Sequence, residues 1–197
     1  AVLVVLGYVR QQWVLVEKEA GLLRSIAHLD ALTGLPNRRR LAEVFHDALE
    51  NAHGPVSVIS FDLDEFKQIN DRYGHHVGDD VLRSVGVFAR RSVRSGDTVG
   101  RWGGEEFLVI CPDTSLEEAS ILAQRLRKEL ATHPMPHGIR VTGSFGVAER
   151  QPLETADQLM MRVDRALYAA KERGKNTVYQ ICADNVAACC QATGAAS

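Results

Sequence analysis

The sequence lacks the features that define several large classes of protein. Its 197 residues carry a formal net charge of −2, so no overall positive charge draws the chain toward nucleic acid. Its four cysteines have no metal-ligand spacing, which argues against a zinc site and is typical of a reducing, cytoplasmic setting. Its composition, 45% hydrophobic and 24% charged, is that of an ordinary soluble protein with one domain and an appendage.

The two ends of the chain differ from its middle. Residues 1–9 are apolar but too short to span a bilayer alone, and they are the end of a membrane helix, a strand or the start of a long helix. Residues 11–29 have a helical pattern with two competing apolar stripes, which favours a coiled coil and a helix packed on its own domain about equally. Residues 183–197 are small and polar, which predicts a flexible tail. The absence of an initiator methionine predicts a fragment or a processed product.

We therefore predict a helical linker over residues 1–29, one domain over 30–182 and a tail over 183–197. Turn signals divide the domain into helical and strand patterns. The predicted helices cover residues 38–51, 66–73, 78–93, 115–132 and 155–172. Asn37 is the predicted N-cap of the first helix, and Ser115 is that of the fourth. The predicted strands cover 56–63, 98–101, 107–111, 140–148 and 176–181. The order of these elements, with a hairpin in the middle, predicts an α+β domain and not a doubly wound one.

The most informative stretch is residues 101–107, which read Arg-Trp-Gly-Gly-Glu-Glu-Phe. Gly103 and Gly104 have no Cβ, so the backbone can turn tightly there and a ligand can come close to it. Glu105 and Glu106 place two negative charges side by side, which is tolerated where a cation lies between them or where both face water. The stretch predicts a hairpin tip that presents carboxylates to a metal-bound phosphate.

A second group of acids ends the first predicted strand. Strand alternation sends Asp62 and Asp64 to one face and Leu63 to the other. An acid at the end of a buried strand is unfavourable unless it is paired or ligates a cation, although lone acids at such ends are often solvated or act as caps. If this strand pairs with the hairpin, Asp62 and Glu105 can meet and form the two-carboxylate platform of metal-dependent phosphoryl transfer.

The segment after Asp64 is polar in a way that suits a nucleotide. Asn70 and Asp79 carry side chains that can hydrogen-bond to a purine edge, and Lys67 supplies a positive charge for phosphates. His75 and His76 have no partner at zinc spacing. For any single one of these residues, a solvated helix and loop is the favoured explanation.

Taken together, these segments resemble the GGDEF-domain family of diguanylate cyclases. Gly103 to Phe107 is similar to the family signature in its GGEEF form. The resemblance extends, in order and at family spacing, through further motifs at residues 30–39, 61–79, 144–148 and 164–171. It covers about residues 30–181, and the combination of motifs is very specific.

The resemblance implies the fold of nucleotide cyclases and polymerase palm domains, an α+β domain whose mostly antiparallel five-stranded sheet is surrounded by helices. It implies that two GTP molecules condense into cyclic di-GMP with release of two pyrophosphates. It also implies two Mg²⁺ or Mn²⁺ ions per active site, bound by the carboxylates of Asp62 and Glu105 and by the backbone carbonyl of Leu63. Glu105 and Glu106 both remain candidates for accepting the proton from the attacking hydroxyl.

The resemblance also implies how the substrate is held. Lys67 would stabilise charge on the transferring phosphoryl group, and Lys171 and Lys175 would hold the terminal phosphates. Many relatives have Arg at the position of Lys175, and Lys lacks the bidentate fork of Arg. The remaining substrate residues surround the guanine and the hairpin tip: Asn70, His75, Asp79, Gly103 and Gly104.

A product-binding site and a set of partners follow from the same resemblance. Arg94 and Asp97 are similar to the inhibitory RxxD motif, and Arg125 resembles the arginine that a neighbouring domain contributes to the same ligand. One domain holds one GTP, so a homodimer is expected, with cyclic di-GMP as product and inhibitor, an upstream sensor domain and no nucleic acid. The catalytic domain would be cytoplasmic, and a missing N-terminal part could tether it to the inner membrane.

Three alternatives remain open at this stage. The first is a catalytically silent relative that senses GTP or cyclic di-GMP, although Asp62, Lys67 and Glu105 are all present. The second is another nucleotidyl cyclase or polymerase-like enzyme, against which the guanine-reading Asn70 and Asp79 argue. The third is a purely structural dimerisation domain, which would not explain the acidic tip.

Overall fold

The computed structural model describes residues 28–182 as one sheet enclosed by helices. The helices of this range are α1 (Arg38–Asn51), α2 (Phe66–Tyr73), α3 (His75–Ser92), α4 (Leu116–Thr132) and α5 (Ala156–Glu172), with a 3₁₀ turn at Pro136–Gly138. The strands are β1 (Ser57–Leu63), β2 (Thr98–Arg101), β3 (Glu106–Cys111), β4 (Gly143–Glu149) and β5 (Val178–Ile181). The predictions of a helical N-terminal linker and a flexible tail fall on residues 1–27 and 183–197, which lie outside the described residues.

The five strands are ordered β2-β3-β1-β4-β5. Every neighbouring pair is antiparallel except β4 and β5, which are parallel and joined through α5. The predicted hairpin is confirmed, because β2 pairs directly with β3. The prediction of an α+β domain with a mostly antiparallel five-stranded sheet is therefore confirmed.

Three phenylalanines fix the register of the central strands. Phe61 on β1 is paired with Phe107 on β3 and with Phe145 on β4. Its ring stacks between theirs at centroid distances of 5.0 and 4.9 Å, and all three residues are fully buried. A slip of one residue would exchange Phe61 for Asp62 on this face, so the aromatic core also determines where the neighbouring acid points.

The two faces of the sheet pack against different helices. The face that carries Phe61 joins the apolar residues of α2, α3 and α4 in one core. On the opposite face, Val58 and Ile110 cluster with Leu41 of α1 and Leu159 of α5. Because side chains alternate along β1, Asp62 lies on the side of the sheet that α1 and α5 cover.

Two predicted boundaries were wrong by three residues, and the others lie within two residues of the observed ones. Helix α3 begins at His75 and not at Gly78, because Gly74, with φ +87°, ends α2 and lets the next helix begin at once. The carbonyl of Gly74 accepts from the N–H groups of Val77 and Gly78. Strand β4 begins at Gly143 and not at residue 140, because Gly143 pairs with Leu63, the last residue of β1, and earlier residues have no strand beside them.

Cys111 lies in the core, as predicted. It is fully buried on β3, and burial raises the pKa of its thiol. Among the helices of residues 28–182, none has the length and apolar character needed to cross a membrane.

Candidate active site

The antiparallel pairing of β1 brings several predicted site residues to one end of the sheet. Because β1 runs antiparallel to both of its neighbours, its last residues lie beside the first residues of β3 and β4. Asp62 is thus paired with Glu106 on one side and with Ser144 on the other. The turn between β2 and β3, residues 102–105, lies at the same end.

Arg101 holds the hairpin tip in place. Its Nε and Nη2 donate to the carbonyl oxygen of Gly104 at 3.0 and 2.7 Å, and its Nη1 donates to both carboxylate oxygens of Asp30 at 3.2 Å. Burial by itself would raise the pKa of Asp30, but hydrogen bonds from Thr33 and Arg101 lower it below the ordinary value. The tip is therefore fixed to the segment before α1 by a charged pair in which both partners are mostly buried.

The glycines of the tip have different surroundings. The Glu106 N–H donates to the carbonyl of Gly103 at 3.3 Å, which closes the turn, and neither Gly103 nor Gly104 has a positive φ. A Cβ on Gly103 would lie 3.1 Å from Oε2 of Glu106, so a side chain there would crowd the carboxylate. A Cβ on Gly104 would have no atom within 4 Å, so the space above this residue is open.

Asp62 is a buried acid with one close cation. It is 6% exposed, and Nζ of Lys171, in the last turn of α5, lies 2.9 Å from its Oδ1. Burial raises the pKa of Asp62, the hydrogen bond and charge of Lys171 work against that rise, and repulsion from Glu106 and Asp64 adds to it. The geometry thus holds a carboxylate in a place where it is stable only beside a positive charge.

The two glutamates of the tip occupy different positions relative to β1. Glu106 is directly opposite Asp62, whereas the carbonyl of Glu105 accepts from the Leu63 N–H at 3.3 Å. The predicted pairing of the first strand with the hairpin is confirmed, but the acid directly across from Asp62 is Glu106, one residue further along β3. The strand register explains this, because the pairing of Phe61 with Phe107 places Asp62 opposite Glu106 and Leu63 beside Glu105.

The donor atoms at this end of the sheet suit a hard cation. Asp62, Glu105 and Glu106 offer carboxylate oxygens, which Mg²⁺ prefers. Within residues 28–182, no group of three or more His, Cys, Asp or Glu side chains is arranged to hold a metal ion. A divalent ion here would therefore depend on two carboxylates, a backbone carbonyl and oxygens from outside the protein, which is the usual manner of Mg²⁺.

The two lysines predicted to bind phosphates are both engaged with acids. Lys171 pairs with Asp62, and Lys175, in the loop after α5, pairs with Glu65, the residue before α2. Glu65 has φ +56° and caps no backbone N–H with its side chain. Lys67, in the first turn of α2, is exposed and makes no ion pair within the described part of the chain.

The residues predicted to recognise guanine lie on α2 and α3. Asn70 on α2 faces Gly78 on α3 so closely that a Cβ on Gly78 would lie 1.9 Å from the Asn70 Oδ1. His75 and Asp79 stand one helical turn apart on α3, so they share a face of the helix. The missing side chain at Gly78 therefore makes room for the amide of Asn70 next to Asp79.

The residues of the predicted product-binding motif lie away from the tip. The Nε of Arg94 donates to Asp97 at 3.1 Å, and its Nη2 donates to the Pro112 carbonyl at 2.8 Å and to the Thr114 hydroxyl at 2.7 Å. Arg125, on α4, donates to the Ser92 carbonyl at 2.7 Å, which places it near the same corner. The four residues of β2, at roughly 3.3 Å each, separate this corner from the tip by roughly 13 Å.

Sequence reasoning assigned no role to several residues that build this end of the sheet. Arg101 and Asp30 are 71 residues apart, and no local pattern indicates that they pair. Asp64 accepts hydrogen bonds from Thr142, Ser144 and Asn176, which lie at least 78 residues away. The acidic character of Asp64 was visible in the sequence, but its partners depend on the strand pairing.

Comparisons with known proteins show which family this chain resembles. A family model described as "Diguanylate cyclase, GGDEF domain" matches residues 27–177. Diguanylate cyclase DgcM of Escherichia coli (strain K12) is 41% identical over 162 residues, which cover 79% of this chain and 39% of that protein. The chain spans between 24% and 57% of the length of the curated relatives it matches.

Solved structures give the same result. The coiled coil and GGDEF domain of DgcB from Caulobacter crescentus, in complex with c-di-GMP, matches with a TM-score of 0.83 and 28% identity, covering 89% of this chain and 97% of that one. The active GGEEF domain of a diguanylate cyclase from Vibrio cholerae matches with a TM-score of 0.68 and 35% identity, covering 73% of this chain and 96% of that one.

Proposed function

The chain belongs to the GGDEF-domain family of diguanylate cyclases, and we propose that it condenses two molecules of GTP into cyclic di-GMP with release of two pyrophosphates. The observation that supports this most strongly is the end of the sheet, where Asp62 lies across from Glu106 and 2.9 Å from Lys171. At this end of the sheet, carboxylates that can bind a metal ion lie next to a lysine that can bind phosphates.

A divalent metal ion, Mg²⁺ or Mn²⁺, fits the donors of this site. Asp62 and Glu105 would bind it through carboxylates and Leu63 through its backbone carbonyl, with two ions in each active site. The buried carboxylate of Asp62, whose pKa is raised by burial, fits this role because it needs a neighbouring cation. When bound, the ions would lower the pKa of the attacking hydroxyl and neutralise the charge on the leaving pyrophosphate.

The two lysines would exchange their partners when GTP binds. In the structure, Asp62 forms an ion pair with Lys171, and Glu65 forms one with Lys175. Triphosphate oxygens carry the same negative charge as these carboxylates and would take their place. Lys67 lies exposed at the start of α2 and would approach the phosphoryl group that is transferred.

The guanine would be held beside α2 and α3. Asn70 both donates and accepts hydrogen bonds, and Asp79 accepts two, which matches the edge of guanine; His75 lies on the same face of α3 as Asp79. The open space above Gly104 would let the phosphates come close to the backbone of the tip, with Gly103 beside it.

The chemical step needs two copies of the chain. The 3′-hydroxyl of one GTP would attack the α-phosphate of the other in line with pyrophosphate departure, and Glu105 or Glu106 would accept the hydroxyl proton. Each domain would hold one GTP, so the two active sites face each other in a homodimer. The helical N-terminal part and an upstream sensor domain would control how often the two domains meet.

Product inhibition would operate at the corner formed by Arg94, Asp97 and Arg125. Arg94 offers a guanidinium fork to a phosphate or a guanine edge, and Asp97 accepts from guanine N–H groups. Arg94 is paired with Asp97, whose side chain is 4% exposed, so a bound product would have to replace or share this contact.

The direct test is incubation of the chain with GTP and Mg²⁺, followed by chromatography of the nucleotides. We expect cyclic di-GMP from GTP and no corresponding product from ATP. Glu105→Gln should abolish turnover because a metal ligand loses its charge, while Glu117→Gln, on the exposed first turn of α4, should leave it unchanged. Binding of GTP without any product would refute the proposal and favour a sensor, whereas normal output from Glu105→Gln would refute the role of Glu105 as a metal ligand.

A further inference from the structure

Asp64 is a buried acid that the proposed reaction does not use. It follows β1 and is 9% exposed. Its Oδ1 accepts from the Ser144 hydroxyl at 2.7 Å, and its Oδ2 accepts from the Thr142 hydroxyl at 2.7 Å and from the Asn176 N–H at 2.9 Å. Both carboxylate oxygens are thus occupied by donors from two other parts of the chain.

The third of these donors belongs to an unusual turn. Gly174, Lys175 and Asn176 all have positive φ, of +102°, +61° and +43°, and two of them are not glycine. Such residues keep a left-handed conformation only where the surroundings hold them in it. Lys175 is the middle residue of this turn, so the position of its side chain depends on what fixes the turn.

Asn176 is held from two sides. Asp64 accepts from its N–H, and Nη1 of Arg127, on α4, donates to its carbonyl oxygen at 3.2 Å and to its Oδ1 at 3.1 Å. The Lys175 N–H donates to the carbonyl of Ala170 at 3.3 Å, which ties the other side of the turn to α5. The charged acceptor, Asp64, is the contact that joins this turn to the end of β1.

Asp64 and Asp62 therefore differ in what they can do. Asp62 faces a lysine that a metal ion can replace, whereas Asp64 already accepts three hydrogen bonds and has little capacity left for a cation. We propose that Asp64 is a positioning residue, which fixes the turn of residues 174–176 so that Lys175 meets the terminal phosphates of GTP. This inference rests on the proposed function of the same site.

The test uses the 197-residue chain and 3′-deoxy-GTP, which lacks the attacking hydroxyl and binds without reacting. Asp64→Asn keeps the shape of the side chain but replaces one acceptor oxygen by a donor, so Asn176 loses its charged partner. We expect affinity for 3′-deoxy-GTP to fall about tenfold, the effect of losing one charge-assisted bond, and affinity for GMP to stay the same. In turnover assays, KM for GTP should rise while kcat changes little.

A double-mutant cycle identifies the route of the effect. If Asp64 acts through Lys175, then Asp64→Asn should weaken 3′-deoxy-GTP binding in the wild-type background and add nothing to Lys175→Met. Equal losses in both backgrounds, or equal losses for GMP and 3′-deoxy-GTP, would overturn the inference. Repeating the titration in EDTA separates positioning from metal ligation. If Asp64 acted only as a metal ligand, Asp64→Asn would not change 3′-deoxy-GTP binding in EDTA, and that result would also overturn the inference.

Two further arms keep the test decisive. If Asp64→Asn does not fold, judged by circular dichroism and urea unfolding, Arg127→Met releases the same turn from its other side, and it should weaken 3′-deoxy-GTP binding only when Lys175 is present. If Lys175→Met itself binds 3′-deoxy-GTP normally, both this inference and the phosphate role of Lys175 fail. If Lys175→Met is weakened but Asp64→Asn and Arg127→Met are not, the positioning role alone fails.

Discussion

Replacing Lys171 by Met should destabilise the free protein, and the loss should depend on pH. The Lys171 ammonium is 2.9 Å from Asp62, whose side chain is 9% exposed. Without it, Asp62 would remain buried beside Glu106 and Asp64, both of which already raise its pKa by repulsion. The variant keeps a side chain of similar length, so the packing of α5 should be preserved.

The expected loss is about 2 kcal/mol near neutral pH. Removing one partner of a fully buried ion pair destabilises a protein by about 3–5 kcal/mol. The Lys171 side chain is 36% exposed, however, so water already weakens the pair and the smaller figure applies. For a chain of this size, 1 kcal/mol shifts the melting temperature by about 2–4 °C, so a fall of about 4–8 °C is expected.

The sign of the pH dependence follows from the direction of the shift. Because the pKa of Asp62 is raised in the folded protein, the folded state holds this proton more strongly than the unfolded state does. The stability that protonation of Asp62 contributes is therefore present at acid pH, and it is lost as the pH rises through the pKa of Asp62 in the folded protein. Removing Lys171 raises that pKa further, so the variant and the wild type should differ little near pH 4 and most above neutrality.

The measurement is urea unfolding in EDTA at several pH values between 4 and 8. Lys175→Met is the matched control, because the Lys175–Glu65 pair is 42% and 47% exposed and should contribute about 0–1 kcal/mol. Equal losses for the two variants would show that Asp62 is not a buried charge that needs Lys171. A difference between Lys171→Met and wild type that stays constant with pH would refute the same reasoning.

Two further substitutions test the substrate and product sites. Gly78→Ala would place a Cβ 1.9 Å from the Asn70 Oδ1, so the amide must rotate away. We expect GTP selectivity over ATP to fall about tenfold, as in Asn70→Ala. Unchanged selectivity in the KM values of the two nucleotides would contradict the guanine assignment. Arg94→Ala should raise the cyclic di-GMP concentration for half-inhibition by at least about tenfold, measured in initial-rate assays, and an unchanged value would count against the inhibitory site.

The local features of the fold were predictable because each depends on a few neighbouring residues. Asn37 caps α1 by accepting from the Arg40 N–H at 3.1 Å, and Ser115 and Glu118 form the capping box expected at the start of α4. The hairpin followed from two apolar runs around a pair of glycines. Such signals act over three or four positions and need no knowledge of the rest of the chain.

The partners of the site residues were less predictable, because they are distant in sequence. Lys171 reaches Asp62 only because α5 packs across β1 and β4, and Arg101 reaches Asp30 only because the segment before α1 lies beside the hairpin. Which glutamate lies opposite Asp62 depends on the register of β1 and β3, and a shift of one residue would change it. The sequence pattern specifies which residues are acidic, but the strand register decides which of them meet.

Asp62 and Asp64 show how the same residue type at the same end of one strand acquires two different sets of partners. Alternation predicts that both point in one direction, but Asp64 lies beyond the last paired residue of β1, next to two hydroxyls and a backbone N–H, while Asp62 meets a lysine. The partners of Asp64 are neutral groups of the fold, so nucleotide would not compete with them when it binds. Asp62 instead forms an ion pair that metal and phosphate would each disrupt, so part of their binding energy must compensate for its loss. If metal and phosphate separate Asp62 from Lys171 as proposed, the hydrogen bonds of Asp64 would keep the neighbouring acid in place while the lysine moves.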